Sequence, residues 1–309
     1  MRIGLFVGAL ELMRDVAERL RRIATAEEDG FDSYWLPQHF GADMLTIIAM
    51  AGMQTSRIEL GTAVIPTYPR HPVALAQQAL TAQVSAGGRL TLGIGVSHRS
   101  TIEEWLGLSY DHPARHIEEY LSVLRPLLHE SGVDFQGQEF RVAGELQIPD
   151  ADMVSVPVVM AALGPRMLEI AGRLADGVVT WMTGPATLHD HIVPRLSAAA
   201  EAAGNPSPRI CVGMPIAVTD HPDRARSRAD RLFQHYATLP SYRAVLEREG
   251  VQSPGGIAIV GNEASVEDQL RTLSDTGATD LLATIFPVDG SQTSFTRTRS
   301  FLQGMVGKI

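Results

Sequence analysis

Hydrophobic residues along the chain occur in eight short runs, and longer stretches with hydrophobic residues at helical spacing separate most of them. Short runs rich in β-branched residues and bounded by glycine, proline or polar residues predict buried strands. The predicted strands are Arg2–Val7, Ser33–Leu36, Ile58–Ile65, Leu90–Val96, Val156–Ala161, Gly177–Trp181, Ile210–Val218 and Asp280–Ile285. Strands that alternate with helices predict an α/β fold with a parallel sheet.

The stretches between the strands predict amphipathic helices, since their hydrophobic residues share one helical face and their charges the other. A region at 133–148 breaks this pattern and predicts an irregular excursion with a hairpin, and 222–250 predicts one or two polar surface helices. The other predicted helices are Leu12–Asp29, Met44–Met53, Thr101–Leu108, Pro165–Leu174, Thr187–Ala203, Ser265–Thr276 and Gln292–Met305, with two more that begin at Pro72 and Pro113.

Eight strand–helix units in 309 residues fit one (β/α)8 TIM barrel domain with insertions, which would cover residues 1–309. The segment 222–255 is long enough to act as a lid over the barrel mouth. A doubly wound sheet is the alternative architecture. The pair Gly93 and Gly95 is not a dinucleotide-binding fingerprint, because His98 stands where the third glycine belongs.

Composition removes several classes of function. The net charge of −9 argues against a nucleic-acid or anionic-membrane partner. Lys308, at the C-terminal end, is the single lysine, which excludes Schiff-base, PLP and phosphate-loop chemistry that needs an internal lysine. The single cysteine, Cys211, excludes an internal disulfide. With no signal peptide and no apolar run long enough to span a membrane, a soluble cytoplasmic protein is expected.

Three segments together resemble the luciferase-like monooxygenase superfamily. They are DGFDSYWLPQHF at 29–40, GTAVIPTYPRHPVALAQQALTAQVSAGGRLTLGIG at 61–95 and ALGPRMLEIAGRLADGVV at 162–179. Within the superfamily the chain looks most like the branch that uses coenzyme F420, a 5-deazaflavin. The resemblance favours the barrel, and it implies F420 as the cofactor, with FMN as the alternative.

In a barrel the active site lies at the carboxyl ends of the strands, so the residues directly after each strand are the candidates. His39 lies in the Pro-Gln-His-Phe turn after the second strand. Its pKa near working pH suits a proton donor or acceptor. The resemblance points to the same position, so His39 is the candidate catalytic residue.

The cofactor ring is expected against the third and fourth strands. Small residues there let a flat ligand approach the backbone closely, and close strand–helix packing is the alternative reading. The resemblance implies a non-prolyl cis peptide, which we place at Ala63–Val64. The candidate ring-binding residues are Gly61, Thr62, Ala63, Val64 and Gly95.

The cofactor phosphate is expected where a strand leads directly into the helix that begins at Pro165. Free N–H groups and the helix dipole at such a start favour an anion, and Arg166 adds a guanidinium. Ser97 and His98, after the fourth strand, are the second phosphate-binding candidates. The remaining candidates are Ala162, Leu163 and Gly164.

The leading hypothesis is therefore hydride transfer between F420 and a small organic substrate. Three alternatives stay open: an FMN-dependent monooxygenase supplied by a separate reductase, a non-catalytic flavin-binding relative, and an unrelated barrel such as a metal hydrolase. The i, i+4 pair His112 and His116 looks like a helix start, so no metal site is expected. His189 and His191 are expected at the surface, and the resemblance implies a homodimer.

Overall fold

The computed structural model describes residues 1–8, 15–151, 155–289 and 292–309. The start of the first predicted helix, at Leu12, lies outside these residues. The strands are β1 (Arg2–Phe6), β2 (Ser33–Leu36), β3 (Glu59–Thr62), β4 (Ile65–Pro66), β5 (Leu90–Gly95), β6 (Gly132–Gln136), β7 (Arg141–Glu145), β8 (Val158–Ala161), β9 (Gly177–Trp181), β10 (Arg209–Val218), β11 (Ile259–Gly261) and β12 (Asp280–Ile285).

Helices follow most of these strands. They are α1 (Val16–Glu28), α2 (Met44–Gly52), α3 (Pro72–Ser85), α4 (Pro113–His129), α5 (Pro165–Leu174), α6 (Pro185–Thr187), α7 (Val193–Ala202), α8 (Pro222–Phe233), α9 (Pro240–Arg248), α10 (Pro254–Ile257), α11 (Glu263–Asp275) and α12 (Gln292–Met305). Short helical turns at Thr101–Trp105, Leu188–Ile192 and Tyr236–Thr238 complete the set.

Eight parallel strands close into a barrel in the order β1, β2, β3, β5, β8, β9, β10, β12 and back to β1. The closing pairs place Arg2 opposite Asp280 in β1–β12 and Cys211 opposite Val179 in β10–β9. The predicted TIM barrel is confirmed. The doubly wound alternative is wrong, because an open sheet would leave two unpaired edges.

Local signals set where many helices begin. The side chains of Asp15, Asp43 and Asn262 accept hydrogen bonds from backbone N–H groups in the first turns of α1, α2 and α11, which satisfies donors that would otherwise be unpaired. Helices α3, α4 and α5 have proline in the first turn, and at the start of α3 the His71 Nδ1 also accepts a hydrogen bond from the Val73 N–H at 3.3 Å. Proline fits there because its missing N–H would have had no helical partner.

The barrel interior is a layer of apolar side chains centred on Trp35, which is fully buried. Trp35 donates from its indole nitrogen to the Ser33 hydroxyl at 2.8 Å. A β-carbon on Gly61 would lie 2.3 Å from the Trp35 ring, so the strand can pass the indole only as glycine. The other buried members of the layer are Val159, Val179, Cys211 and Leu282.

Charged side chains close the barrel at the amino ends of the strands. The Arg209 guanidinium lies 2.6 Å from Asp280 and 2.8 Å from Glu59, and Arg2 lies 2.6 Å from the second oxygen of Glu59. Asp280 is only 1% exposed. Although burial opposes it, the hydrogen bond from Arg209 holds the pKa of Asp280 below its usual value. We call Arg2, Glu59, Arg209 and Asp280 the floor network.

Outside the barrel, the predicted hairpin within 133–148 is confirmed as the antiparallel pair β6–β7. The third predicted strand is divided, since β3 ends at Thr62 and the chain resumes pairing with β5 at Ile65. The segment 222–255 contains α8, α9 and the start of α10. No helix in the described ranges has the length and apolarity to cross a membrane.

Candidate active site

A cavity of about 600 Å³ opens at the carboxyl ends of the barrel strands, a volume typical of small-molecule sites. Its floor is formed by side chains at the top of the barrel interior, including Phe6, Val64 and Val179. Among the described residues that line it, none is Asp or Glu. In a chain of net charge −9, this makes the cavity more favourable to an anion than most of the surface.

Seven of the residues predicted from the sequence line this cavity. They are Ala63, Val64, Ser97, His98, Ala162, Leu163 and Gly164. The other six candidates are not part of its lining: His39, Gly61, Thr62, Gly95, Pro165 and Arg166. The structure therefore brings the residues after β3, the end of β5 and the start of α5 together around one cavity.

The bulge after β3 forms the part of the cavity floor nearest β2. The peptide bond between Ala63 and Val64 is cis and non-prolyl, as predicted. The Thr62 hydroxyl donates to the Gly93 carbonyl and accepts from the Gly93 N–H, both at 2.8 Å. A β-carbon on Gly95 would lie 3.0 Å from Val64. Thr62 and Gly95 thus support the bulge from behind, outside the cavity.

The end of β5 turns into the cavity through a left-handed residue. Ser97 has φ of 61°, a conformation that is uncommon for residues other than glycine. The Tyr110 hydroxyl donates to the Ser97 carbonyl at 3.0 Å, and the Arg99 guanidinium lies 5.3 Å from the Tyr110 ring centre. Tyr110 therefore helps to hold the turn that presents Ser97 and His98.

The start of α5 is open towards the cavity. Gly164 is the N-cap residue and offers no side chain to the first turn of α5. The backbone N–H groups of that turn therefore remain available to an anion. A β-carbon on Gly164 would meet no atom within 4 Å. His191 fixes the approach to the helix, since its Nε2 donates to the Leu163 carbonyl at 2.8 Å while its Nδ1 accepts from Arg195 at 3.1 Å.

Two side chains near α5 lie elsewhere than the sequence indicated. His191 is only 5% exposed, so the expectation that it lies at the surface is wrong, whereas His189 is exposed as expected. Arg166 is paired with Glu118 and Glu169, each at 3.0 Å. Its guanidinium is thus held along the outer face of α4 and α5, and its role in phosphate binding stays a prediction.

His39 is exposed in the turn after β2, and the protein around the ring still removes enough water to lower its pKa. The Gln38 side chain rigidifies the turn by donating to the His39 carbonyl and accepting from the Met44 N–H. Because Leu36 pairs with Thr62 across β2–β3, this turn and the Ala63–Val64 bulge leave the sheet side by side. His39 lies in this turn and is not part of the cavity lining.

The start of α9 also forms part of the cavity wall, although none of its residues was among the site candidates predicted from the sequence. Leu239, Pro240, Ser241 and Tyr242 all line the space. Their contact with the end of β5 joins positions far apart in the sequence, and no local pattern signals it. A long polar insertion near a barrel mouth was the available clue.

No group of three potential metal ligands occurs in the part of the chain that the structure describes. His116 is buried in α4, where its Nε2 lies 3.0 Å from the Thr67 hydroxyl and its ring stacks on Tyr68. Burial lowers the pKa of His116 to about 4, so the ring is neutral at neutral pH. His112, with φ of 50°, precedes the helix as its N-cap residue.

A closed (β/α)8 barrel with a cavity at the carboxyl ends of its strands is the architecture of a TIM-barrel enzyme. Sequence comparison then identifies the family. The family model described as luciferase-like monooxygenase matches residues 1–280. The chain belongs to this family, and it is an enzyme of the oxidoreductase class.

Curated relatives share about a quarter to a third of their residues with the chain. A 5,10-methylenetetrahydromethanopterin reductase from Methanolobus tindarius is 28% identical over 86% of this chain and 80% of its own length. An F420-dependent glucose-6-phosphate dehydrogenase from Nakamurella multipartita is 29% identical over 78% of this chain and 74% of its own length.

Solved structures share the fold at lower identity. The coenzyme F420 dependent tetrahydromethanopterin reductase from Methanopyrus kandleri superposes with a TM-score of 0.80 at 20% identity. The match covers 99% of this chain and 97% of that one. At this identity the likeness shows the barrel alone.

Proposed function

We propose that the chain transfers a hydride between coenzyme F420 and a small organic substrate. One observation carries the proposal: a single cavity joins an apolar floor at Ala63 and Val64 to the open start of α5 at Gly164. A planar ring fits against the floor, and a phosphate fits against the free N–H groups. Relatives named for F420 support this cofactor.

The candidate residues divide by the part of the cofactor that each would hold. Ala63 and Val64 would contact the ring, with Gly61, Thr62 and Gly95 supporting them from behind. The phosphate would lie between the two neighbouring strand ends that reach the cavity. The residues proposed there are Ser97, His98, Ala162, Leu163, Gly164, Pro165 and Arg166.

His39 is proposed as the residue that exchanges the proton that accompanies the hydride. When bound, the deazaflavin supplies or accepts the hydride, while the protein positions the reactants. The lowered pKa of His39 leaves its imidazole neutral at neutral pH, so one ring nitrogen can accept a proton and the other can donate a hydrogen bond. The pairing of Leu36 with Thr62, which brings the strand before its turn close to the Ala63–Val64 bulge, supports a role for His39 on the ring side of the cavity.

An FMN-dependent monooxygenase is the second candidate, and the description of the matching family favours it. The same floor and helix start suit a flavin ring with its phosphate. This function would add O₂ as a substrate and would need a separate reductase to supply reduced flavin. A non-catalytic flavin-binding relative would have no use for His39 beside the ring.

The function is tested by titrating the protein with F420 and with FMN. Trp181 lines the cavity, so a bound ring should quench its fluorescence, and a Trp105→Phe background removes emission from the exposed indole. Micromolar or tighter binding of F420 with much weaker binding of FMN is the expected result. Preference for FMN would favour the monooxygenase, and binding of neither would contradict both proposals.

The segment 222–255 is proposed to act as a lid over the cavity. The chain is proposed to form a single domain that covers residues 1–309. Its residues Leu239 and Tyr242 already line the cavity, which supports a role in covering a bound ligand. The homodimer and the cytoplasmic location expected from the sequence stay predictions.

A further inference from the structure

A continuous series of ring contacts crosses the mouth of the barrel. Phe6 packs on Trp181 with ring centres 5.4 Å apart, and Trp181 lies 5.9 Å from Tyr236. Tyr236 then lies 4.9 Å from Tyr242, and Tyr242 lies 6.2 Å from His98. We call these five residues the aromatic arch. It runs from strands β1 and β9, through the segment 222–255, to the end of β5.

The arch ends at the phosphate side of the cavity rather than at the ring side. Strands β5 and β8 are neighbours, with Ile94 opposite Met160. His98 and Gly164 follow these paired residues by the same number of positions. The two therefore leave adjacent strands at the same height, and Tyr242 meets His98 beside the open start of α5.

The polar groups at this end of the arch are available to a ligand. Within the described residues, neither the Tyr242 hydroxyl nor either ring nitrogen of His98 has a hydrogen-bond partner, although both side chains line the cavity. Burial lowers the pKa of His98, and His235 lowers it further, so the imidazole is neutral and carries one N–H. With no carboxylate in the described lining, these donors suit an anionic acceptor.

We propose that Tyr242 is a cofactor-binding residue whose hydroxyl, together with the His98 imidazole, hydrogen-bonds the phosphoryl group held at the start of α5. The insertion then closes on the phosphate end of the cofactor and leaves the ring end to the substrate. Hydrogen bonds to a charged oxygen in a partly dehydrated site are stronger than neutral ones. This inference rests on the proposed function, and it adds a binding residue from a distant part of the chain.

The experiment compares two deazaflavins with the same ribityl chain, one with a 5′-phosphate and one without, because F420 carries a further anionic tail beyond its phosphate. Both are titrated into the wild-type protein, its Tyr242→Phe variant and its Tyr120→Phe variant. Tyr242→Phe keeps the ring and removes only the hydroxyl, so the Kd for the 5′-phosphate should rise about tenfold while the Kd for the phosphate-free deazaflavin stays within about twofold. Tyr120→Phe removes a hydroxyl that donates to the Arg70 carbonyl, outside the cavity lining, and it should change neither Kd.

A double variant tests whether His98 and Tyr242 contact the same phosphate or two independent groups of the ligand. His98→Asn and Tyr242→Phe should weaken F420 binding less than additively when they are combined, because both donors serve one group. Equal loss of affinity for the 5′-phosphate and for the phosphate-free deazaflavin in Tyr242→Phe, or no loss for either, would overturn the proposal and leave the proposed function intact. If the wild-type protein binds neither F420 nor FMN, the proposed function and this inference are both overturned.

Discussion

His39 is exposed, whereas His98 is half-buried and His116 is buried, and all three have lowered pKa values. Exposure leaves His39 free to approach a substrate, and its neutral imidazole can take up a proton. If it exchanges the proton of the reaction, its loss should affect the chemical step rather than cofactor binding.

The His39→Ala variant should therefore lower kcat by about 100-fold or more, because positioned acid–base catalysis contributes roughly that much. The Kd for F420, measured by tryptophan quenching, should change by less than about threefold. His189→Ala, at an exposed histidine whose partner is Asp190, is the matched control and should alter neither value. A parallel loss of affinity and turnover would make His39 a binding residue instead.

Single residues show where prediction from the sequence reaches its limit. The position of the cis peptide at Ala63–Val64 was predictable because the surrounding motif is local and was recognised as a resemblance. Arg166 and His191 were not predictable, because their environments depend on packing. Glu118 of α4 holds Arg166, and the Leu163 carbonyl and Arg195 hold His191. No spacing along the chain encodes which helix packs beside another.

At the scale of elements, the start of α5 should bind anions through its backbone. Gly164→Val places a branched side chain where the glycine now faces open space, and the extended backbone of this residue, with φ of −84° and ψ of 155°, accepts it. Cofactor affinity should fall at least tenfold through overlap with the phosphate. The free energy of unfolding should fall by less than about 1 kcal/mol, as is usual for a poorer N-cap residue.

Gly304→Ala in α12 is the matched control, because its β-carbon would also meet no neighbour. It should leave cofactor affinity unchanged in the same titration. Unchanged affinity in Gly164→Val would remove the helix start from the proposed phosphate site, whatever the result for the ring-binding residues.

Among the elements, the eight barrel strands were predicted with small errors at their ends. Hydrophobic patterning suffices for such strands, because both faces of a parallel sheet are buried. Prediction failed where the chain departs from regular pairing. The division of β3 from β4 comes from a bulge, and the three-residue strand β11 (Ile259–Gly261) pairs with the far end of β10. The contribution of α9 to the cavity came from tertiary contact alone.

At the scale of the whole molecule, closure of the barrel should depend on the floor network. Asp280→Asn removes the charge of a carboxylate that is 1% exposed and that pairs with Arg209 at 2.6 Å. Arg209 would keep Glu59 as a partner but would remain partly uncompensated. We expect a loss of about 2–4 kcal/mol in the free energy of unfolding, measured by urea denaturation.

Asp220→Asn provides a matched control for Asp280→Asn. Asp220 also pairs with an arginine, Arg297, that keeps a second carboxylate, Glu263. Its side chain is 68% exposed, and exposed ion pairs contribute little because water and salt screen them. Similar losses in the two variants would show that the floor network contributes no more than a surface pair.

The fold of the whole molecule was predictable because alternation of strands and helices restricts the architecture to a few parallel arrangements. The pattern alone left a barrel and an open sheet as alternatives, since closure depends on the pairing of β9 with β10 and of β12 with β1. The resemblance chose between them. The cavity could be placed at the carboxyl ends of the strands, and the segment 222–255 could be expected near its mouth, but the residues of that segment that line it could not be foreseen.

The floor network also bears on how a ligand can reach the cavity. Arg2, Glu59, Arg209 and Asp280 occupy the amino ends of the strands, and the apolar layer around Trp35 fills the barrel interior above them. Within the described residues, a ligand of the cavity therefore has to enter and leave at the carboxyl ends of the strands. Packing and ion pairs at one end of the barrel thus restrict access to the other end.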